Sequence, residues 1–174
     1  MIRLQPLTIP DAMTGNQKLH AAALQFLGVR EISGPRSHTL IKEWIKSAAS
    51  WLDPDDSKTA WCGCFRGMLG IVTGTGAPLA HYRAMNWLAW GKPIDSKRPE
   101  LWQQGDTLIL KRKGGAHVAL VHEVQANKRR VQCLGGNQSD AVSIAPFPLA
   151  DVLGVRRAIE IPADAKPSTK KAKP

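Results

Sequence analysis

Apolar positions in the first half of the chain recur three and four residues apart, the spacing that lines up one face of a helix. Residues 16–27 place Leu19, Ala22, Ala23, Phe26 and Leu27 on such a face, with Gly28 as a stop. Gly34-Pro35 marks a turn. Residues 37–49 repeat the pattern with Leu40, Ile41, Trp44, Ile45 and Ala48. A polar, Pro-containing loop over 52–58 leads to a third helix, ending near residue 72, whose stripe is Trp61, Cys64, Phe65, Met68 and Val72. Gly63, Gly67 and Gly70 fall on its far side. A fourth helix is expected over 79–90, with Ala84, Trp87 and Leu88 inward and Gly91 at its end.

The pattern changes after a loop over 93–105. Short apolar runs at 107–110 and 117–124 flank the basic, Gly-containing segment 111–115, which reads as a hairpin. Further strands are expected at 130–134, 142–145 and 155–161. Helices first and antiparallel strands second predict an α+β domain, with N-terminal helices packed on a C-terminal sheet. The division expected is an arm over 1–15, one domain over 16–163, and a Lys-, Ala- and Pro-rich disordered tail over 164–174.

The 174 residues suffice for a core without staples. Three cysteines argue against a disulfide framework. The first ten residues lack a signal-peptide pattern and no stretch reaches the length of a membrane span, so synthesis in a cytoplasm is expected; the chain is read as a monomer. The net charge of +10 draws the chain toward polyanions: nucleic acid, acidic membranes or an anionic cell envelope. The tail holds four lysines against one aspartate, and the rest still carries a net +7. Basic clusters at 111–113 and 128–130 come with no nucleic-acid motif, so no specific nucleic acid is expected.

The candidate chemistry starts at Cys62. Helical geometry turns it roughly 200° from Cys64, so the two thiols face different surroundings. With Thr59 as N-cap, accepting from the Cys62 amide, the thiol lies in the first turn, at the positive end of the helix dipole. That position favours thiolate, the attacking form of cysteine. Cys64 belongs to the core. Of five histidines, His20, His38 and His81 read as surface or cap residues. His117 opens a strand after Gly114-Gly115, on the face of Ala119 and Val121, with His122 on the other. A strand-end histidine satisfied locally is the plain alternative. Asn137 and Gln138, in a Gly-rich turn, are the amides available to orient an imidazole.

Asp106 is expected to fix a turn and Asp56 to be a solvated loop acid. Trp44, Trp61 and Trp87 read as core, whereas Trp51 and Trp102, in or near loops, are candidates to line a substrate groove. His117, His122 and Cys133 lack a recognised ligand spacing, so neither metal nor cofactor is expected.

The order helix-start cysteine, strand-start histidine, following-strand amide carries a resemblance. The segments 59–65 (TAWCGCF), 105–109 (GDTLI), 115–119 (GAHVA) and 134–140 (LGGNQSD) resemble a phage-type branch of the NlpC-like and CHAP-like peptidoglycan hydrolases. The lead-in at 27–35 and the closing 152–156 fit the same branch, so that the likeness covers roughly 16–157. It implies a papain-like fold and a cysteine amidase or peptidase acting on peptidoglycan stem peptides at the cell wall. In that reading Cys62 is the nucleophile, His117 the base and Asn137 the orienting residue, with Gln138 its rival. The chain lacks the Asp-Cys-Ser-Gly of the core NlpC-like enzymes and the Gln-Cys of CHAP domains, which leaves the bond cleaved open. An interbacterial amidase effector shares this chemistry. A basic nucleic-acid- or envelope-binding module without catalysis is the alternative from another class.

Overall fold

The computed structural model describes residue 10, residues 12–32 and residues 36–159. The tail, most of the arm and the Gly34-Pro35 turn lie outside the described residues. Within them the chain forms α1 (Gly15–Leu24), α2 (Thr39–Ala48), α3 (Cys62–Val72) and then six strands. These are β1 (Lys92–Ile94), β2 (Thr107–Arg112), β3 (Gly115–Gln125), β4 (Arg130–Gly135), β5 (Ser143–Pro148) and β6 (Val152–Arg157). They make one antiparallel sheet in the order β1-β6-β2-β3-β4-β5. The fold is α+β, and no helix among the described residues is long and apolar enough to cross a membrane.

Local chemistry explains the helix ends. Thr14 and Gln17 form a reciprocal capping box, which starts α1 at Gly15. The helix stops at Leu24, so Leu27 is exposed rather than on the buried face. Gly28 follows with φ +89°, a conformation that costs a side chain energy, and its amide donates to the Val142 carbonyl. His38 caps α2, its Nδ1 accepting from the Leu40 amide. The carboxylate of Asp56 accepts from the His38 amide at 2.8 Å and is 2 % exposed, so it is a buried brace for α2 and not a solvated acid.

Helix α3 is enclosed on nearly all sides, because its glycine face is as tightly covered as its apolar one. A Cβ built on Gly63 would stand 2.4 Å from the Tyr82 carbonyl oxygen, and one on Gly70 2.1 Å from that of Gly76. The segment after α3 therefore runs backbone to backbone along the helix. This segment does not form the expected helix over 79–90. Ala80 takes φ +49°, which interrupts a helix, and only a 3-10 stretch, Ala84–Ala89, forms. Val72, expected inward, is 44 % exposed at the helix end.

The sheet is buried on both faces. Ile109, Val118, Leu120 and Leu134 face the helices, together with Trp44, Trp61, Phe65 and Trp87. Leu108, Leu110, Ala119, Val121, Cys133 and Val155 face the other way, into a second core closed by Trp102. Trp102 is 7 % exposed, with its indole N–H on the Asp95 carbonyl, so it is a core residue and not a groove wall. Asp106 does accept from the Gln103 amide in a turn, and it also holds Asn16 and both ends of an Arg157 fork, tying α1 to β6.

Candidate active site

Cys62 is the first residue of α3. Trp61, not Thr59, occupies the N-cap position and makes no side-chain capping bond; the Thr59 hydroxyl donates instead to the Asp53 carbonyl. The expected cap is thus absent, but the thiol is still in the first turn. Trp61 is fixed otherwise: its ring is fully buried and its indole N–H donates to Glu31 at 2.7 Å. Cys62 itself is 3 % exposed. Burial pushes its thiol pKa up, while the amides of Val118 and Gly63 and the charge of Arg112 pull it down. Cys64 is fully buried and its thiol is also pushed up by burial, as expected of a core cysteine.

His117 pairs with Leu110 across the β2–β3 hairpin and shares the sheet face of Ala119 and Val121. Its ring stacks on Phe147 of β5 at 5.5 Å. His122 takes the opposite face and meets His20 of α1, ring nitrogens 2.9 Å apart. His20 is therefore a buried partner and not the surface residue expected. Burial, and then His122, lower its pKa to about 4.

The amide at His117 belongs to Gln138. Its Oε1 lies 3.1 Å from His117 Nε2. Gln138 Nε2 donates to the carbonyls of Cys133 and Ser143, at 3.1 and 2.7 Å. Flipping the amide would set oxygen against those two oxygens, so its orientation is fixed. Oε1 can only accept, and hence neutral His117 carries its proton on Nε2 and a lone pair on Nδ1. That Nδ1 is buried and has no hydrogen-bond partner. Burial lowers the His117 pKa to about 4, against the raising effect of the Gln138 bond, with Arg112 lowering it further.

The loop after β4 delivers Gln138 at some conformational cost. Asn137, Ser139 and Asp140 all have φ between +51° and +62°, a region rarely entered by residues other than glycine. The loop is held by Gln138 N–H on the Ala141 carbonyl and by Arg30 on the Ser139 carbonyl. Just before it, Gly136 lies so close to α3 that a Cβ there would be 2.5 Å from the Trp61 ring. Asn137 does not bond His117. It lines, with Arg112, His117, Gln138 and Phe147, a pocket of about 220 Å³.

Cys62 is not among the residues lining that pocket. The thiol lies against the Val118 amide, one residue along β3 from His117, and no hydrogen bond joins it to Nδ1. Trp51 is 68 % exposed and meets Tyr82 edge-on at 5.3 Å, on the segment that covers α3. No group of three or more potential metal ligands occurs among the described residues. No family model, no curated protein and no solved structure matches the chain.

Proposed function

We propose that the chain is a cysteine-dependent amide hydrolase of papain-like fold, acting on the stem peptides of peptidoglycan in the manner of a phage lysin. The observation that carries the chemistry is the Nε2–H tautomer of His117 imposed by Gln138, which leaves Nδ1 as a buried, unpartnered base. The choice of peptidoglycan rests on the resemblance of the four motif segments, and the charge of +10 suits an anionic envelope.

In this reading the His117 ring, which lies on the sheet face of Ala119 and Val121, must turn past the strand end toward Cys62 on the helix face. Nδ1 then takes the Cys62 proton and the thiolate attacks the amide carbonyl. Free amides of the first turn of α3, which begins at Cys62, receive the developing oxyanion. The imidazolium then returns its proton to the leaving amine through Nδ1, while Gln138 keeps hold of Nε2. Water attacks the thioester, giving up a proton to Nδ1, and the acid leaves. Gln138 takes the orienting role first assigned to Asn137. The reading requires an opening toward Cys62, which is covered in this conformation.

Turbidity loss of a cell-wall suspension tests it. The wild-type protein clears the suspension, while folded Cys62→Ser and His117→Ala proteins do not. Clearing by Cys62→Ser at the wild-type rate excludes the mechanism.

A further inference from the structure

Arg112 lies at the turn end of β2, two residues beyond Leu110, the partner of His117. Strand alternation sets it on the same sheet face as His117, and both line the pocket. It is exposed, and among the described residues its guanidinium makes no hydrogen bond or ion pair. Its charge nevertheless reaches both Cys62 and His117. A cation beside a base that must become an imidazolium opposes that step, unless something anionic answers it. Besides Arg112 the pocket is lined by Asn137, Phe147 and His117, whose buried Nδ1 has no hydrogen-bond partner. It holds no acidic side chain among its lining residues.

From this we infer that the pocket binds a carboxylate carried by the substrate, with Arg112 as the residue that selects it. The inference rests on the hydrolase reading for its place in a reaction, and its chemistry is that of an acidic peptide. A planar guanidinium matches a carboxylate with two parallel hydrogen bonds, which an ammonium cannot reproduce. A volume of about 220 Å³ suits a short side chain and not a sugar ring with its neighbours. Once the carboxylate is seated, its charge offsets that of Arg112, and the imidazolium of His117 forms more readily. Acidic substrates are thereby favoured in turnover as well as in binding.

The test uses the full chain and two small probes, N-acetyl-glutamate α-amide and its neutral isostere N-acetyl-glutamine α-amide. Binding is followed by NMR through the ring protons of His117. The acidic probe is expected to bind at least tenfold more tightly than the neutral one. Arg112→Gln should erase that difference, and Arg112→Lys should restore only part of it. Equal binding of the two probes, or an unchanged preference in Arg112→Gln, overturns the inference. Wall clearing by a protein that ignores both probes removes the carboxylate pocket and leaves the hydrolase. Arg112-dependent probe binding by a protein that clears nothing does the reverse.

Discussion

His117 donates from Nε2 to Gln138 Oε1 at 3.1 Å, and Gln138 is itself pinned by two backbone carbonyls. One side-chain amide therefore decides which nitrogen of the imidazole carries the proton and which the lone pair. Gln138→Ala should free the ring to exchange tautomers and lower kcat on peptidoglycan roughly 10–100-fold. Nitrogen-15 NMR of the histidines should show a single Nε2–H form for His117 in the wild type and a mixture in the variant. Asn137→Ala should leave that spectrum unchanged.

Burial of His20, with His122 beside it, gives a pH dependence of stability. In the unfolded chain His20 takes up a proton at its usual 6.5, but in the fold only near 4. The folded state is therefore favoured above pH 6.5 and loses that advantage as pH falls toward 4, levelling off below. His117 behaves alike. Each contributes roughly 1–3 kcal/mol over that window. Thermal melts between pH 7.5 and 4.5 should fall steeply, and His20→Asn should flatten part of the fall. An equally steep fall in His20→Asn contradicts this assignment.

Much of the architecture is written in the periodicities, and the misses have physical causes. Leu19, Ile41, Trp44 and Trp61 are found buried because helical spacing reports burial directly. The strand runs at 107–110, 117–124 and 130–134 are found for the same reason, whereas β1 is three residues of an edge strand with no alternation to read. The capping box Thr14–Gln17 is legible in the sequence and starts α1 at Gly15, one residue before the expected start. Trp102 could not be read from a loop sequence, since its burial depends on the far face of the sheet being covered. Cys62 and His117 stand out by local context. Gln138 over Asn137 does not, because the choice follows from positive φ at Asn137, Ser139 and Asp140, which flank Gln138 and obey no period.

The glycine face of α3 should tolerate nothing larger. In Gly63→Ala the new methyl meets the Tyr82 and His81 carbonyl oxygens at 2.4 and 2.5 Å, both backbone atoms that cannot swing aside. A loss of about 2–4 kcal/mol in urea unfolding is expected. Gly114→Ala, in open space but at φ +79°, should cost only about 1–2 kcal/mol. A Gly63→Ala protein as stable as Gly114→Ala would show that the 76–82 segment does not lie against the helix.

Arg66 is buried between the rings of Trp87 and Trp90, 4.3 and 4.5 Å from their centroids. Its Nε donates to the Thr107 hydroxyl, while Nη1 and Nη2 have no hydrogen-bond partner. Burial lowers its pKa to about 9. Stacking of about 2 kcal/mol does not offset the several kcal/mol of taking an unpaired charge out of water. Arg66→Met, which keeps the volume, should leave the melting temperature unchanged or raise it. Arg66→Ala should lower it through the cavity it opens. Equal losses in both variants contradict this account of the guanidinium.

The central claim is amide cleavage by Cys62 with His117 as base, and mass spectrometry of fragments released from purified peptidoglycan tests it most directly. The wild-type protein should release products that differ from the polymer by hydrolysis of one amide bond. Cys62→Ala protein with an unchanged fold by circular dichroism should release none. Glycosidic fragments, no fragments at all, or the same amide products from Cys62→Ala would contradict the account.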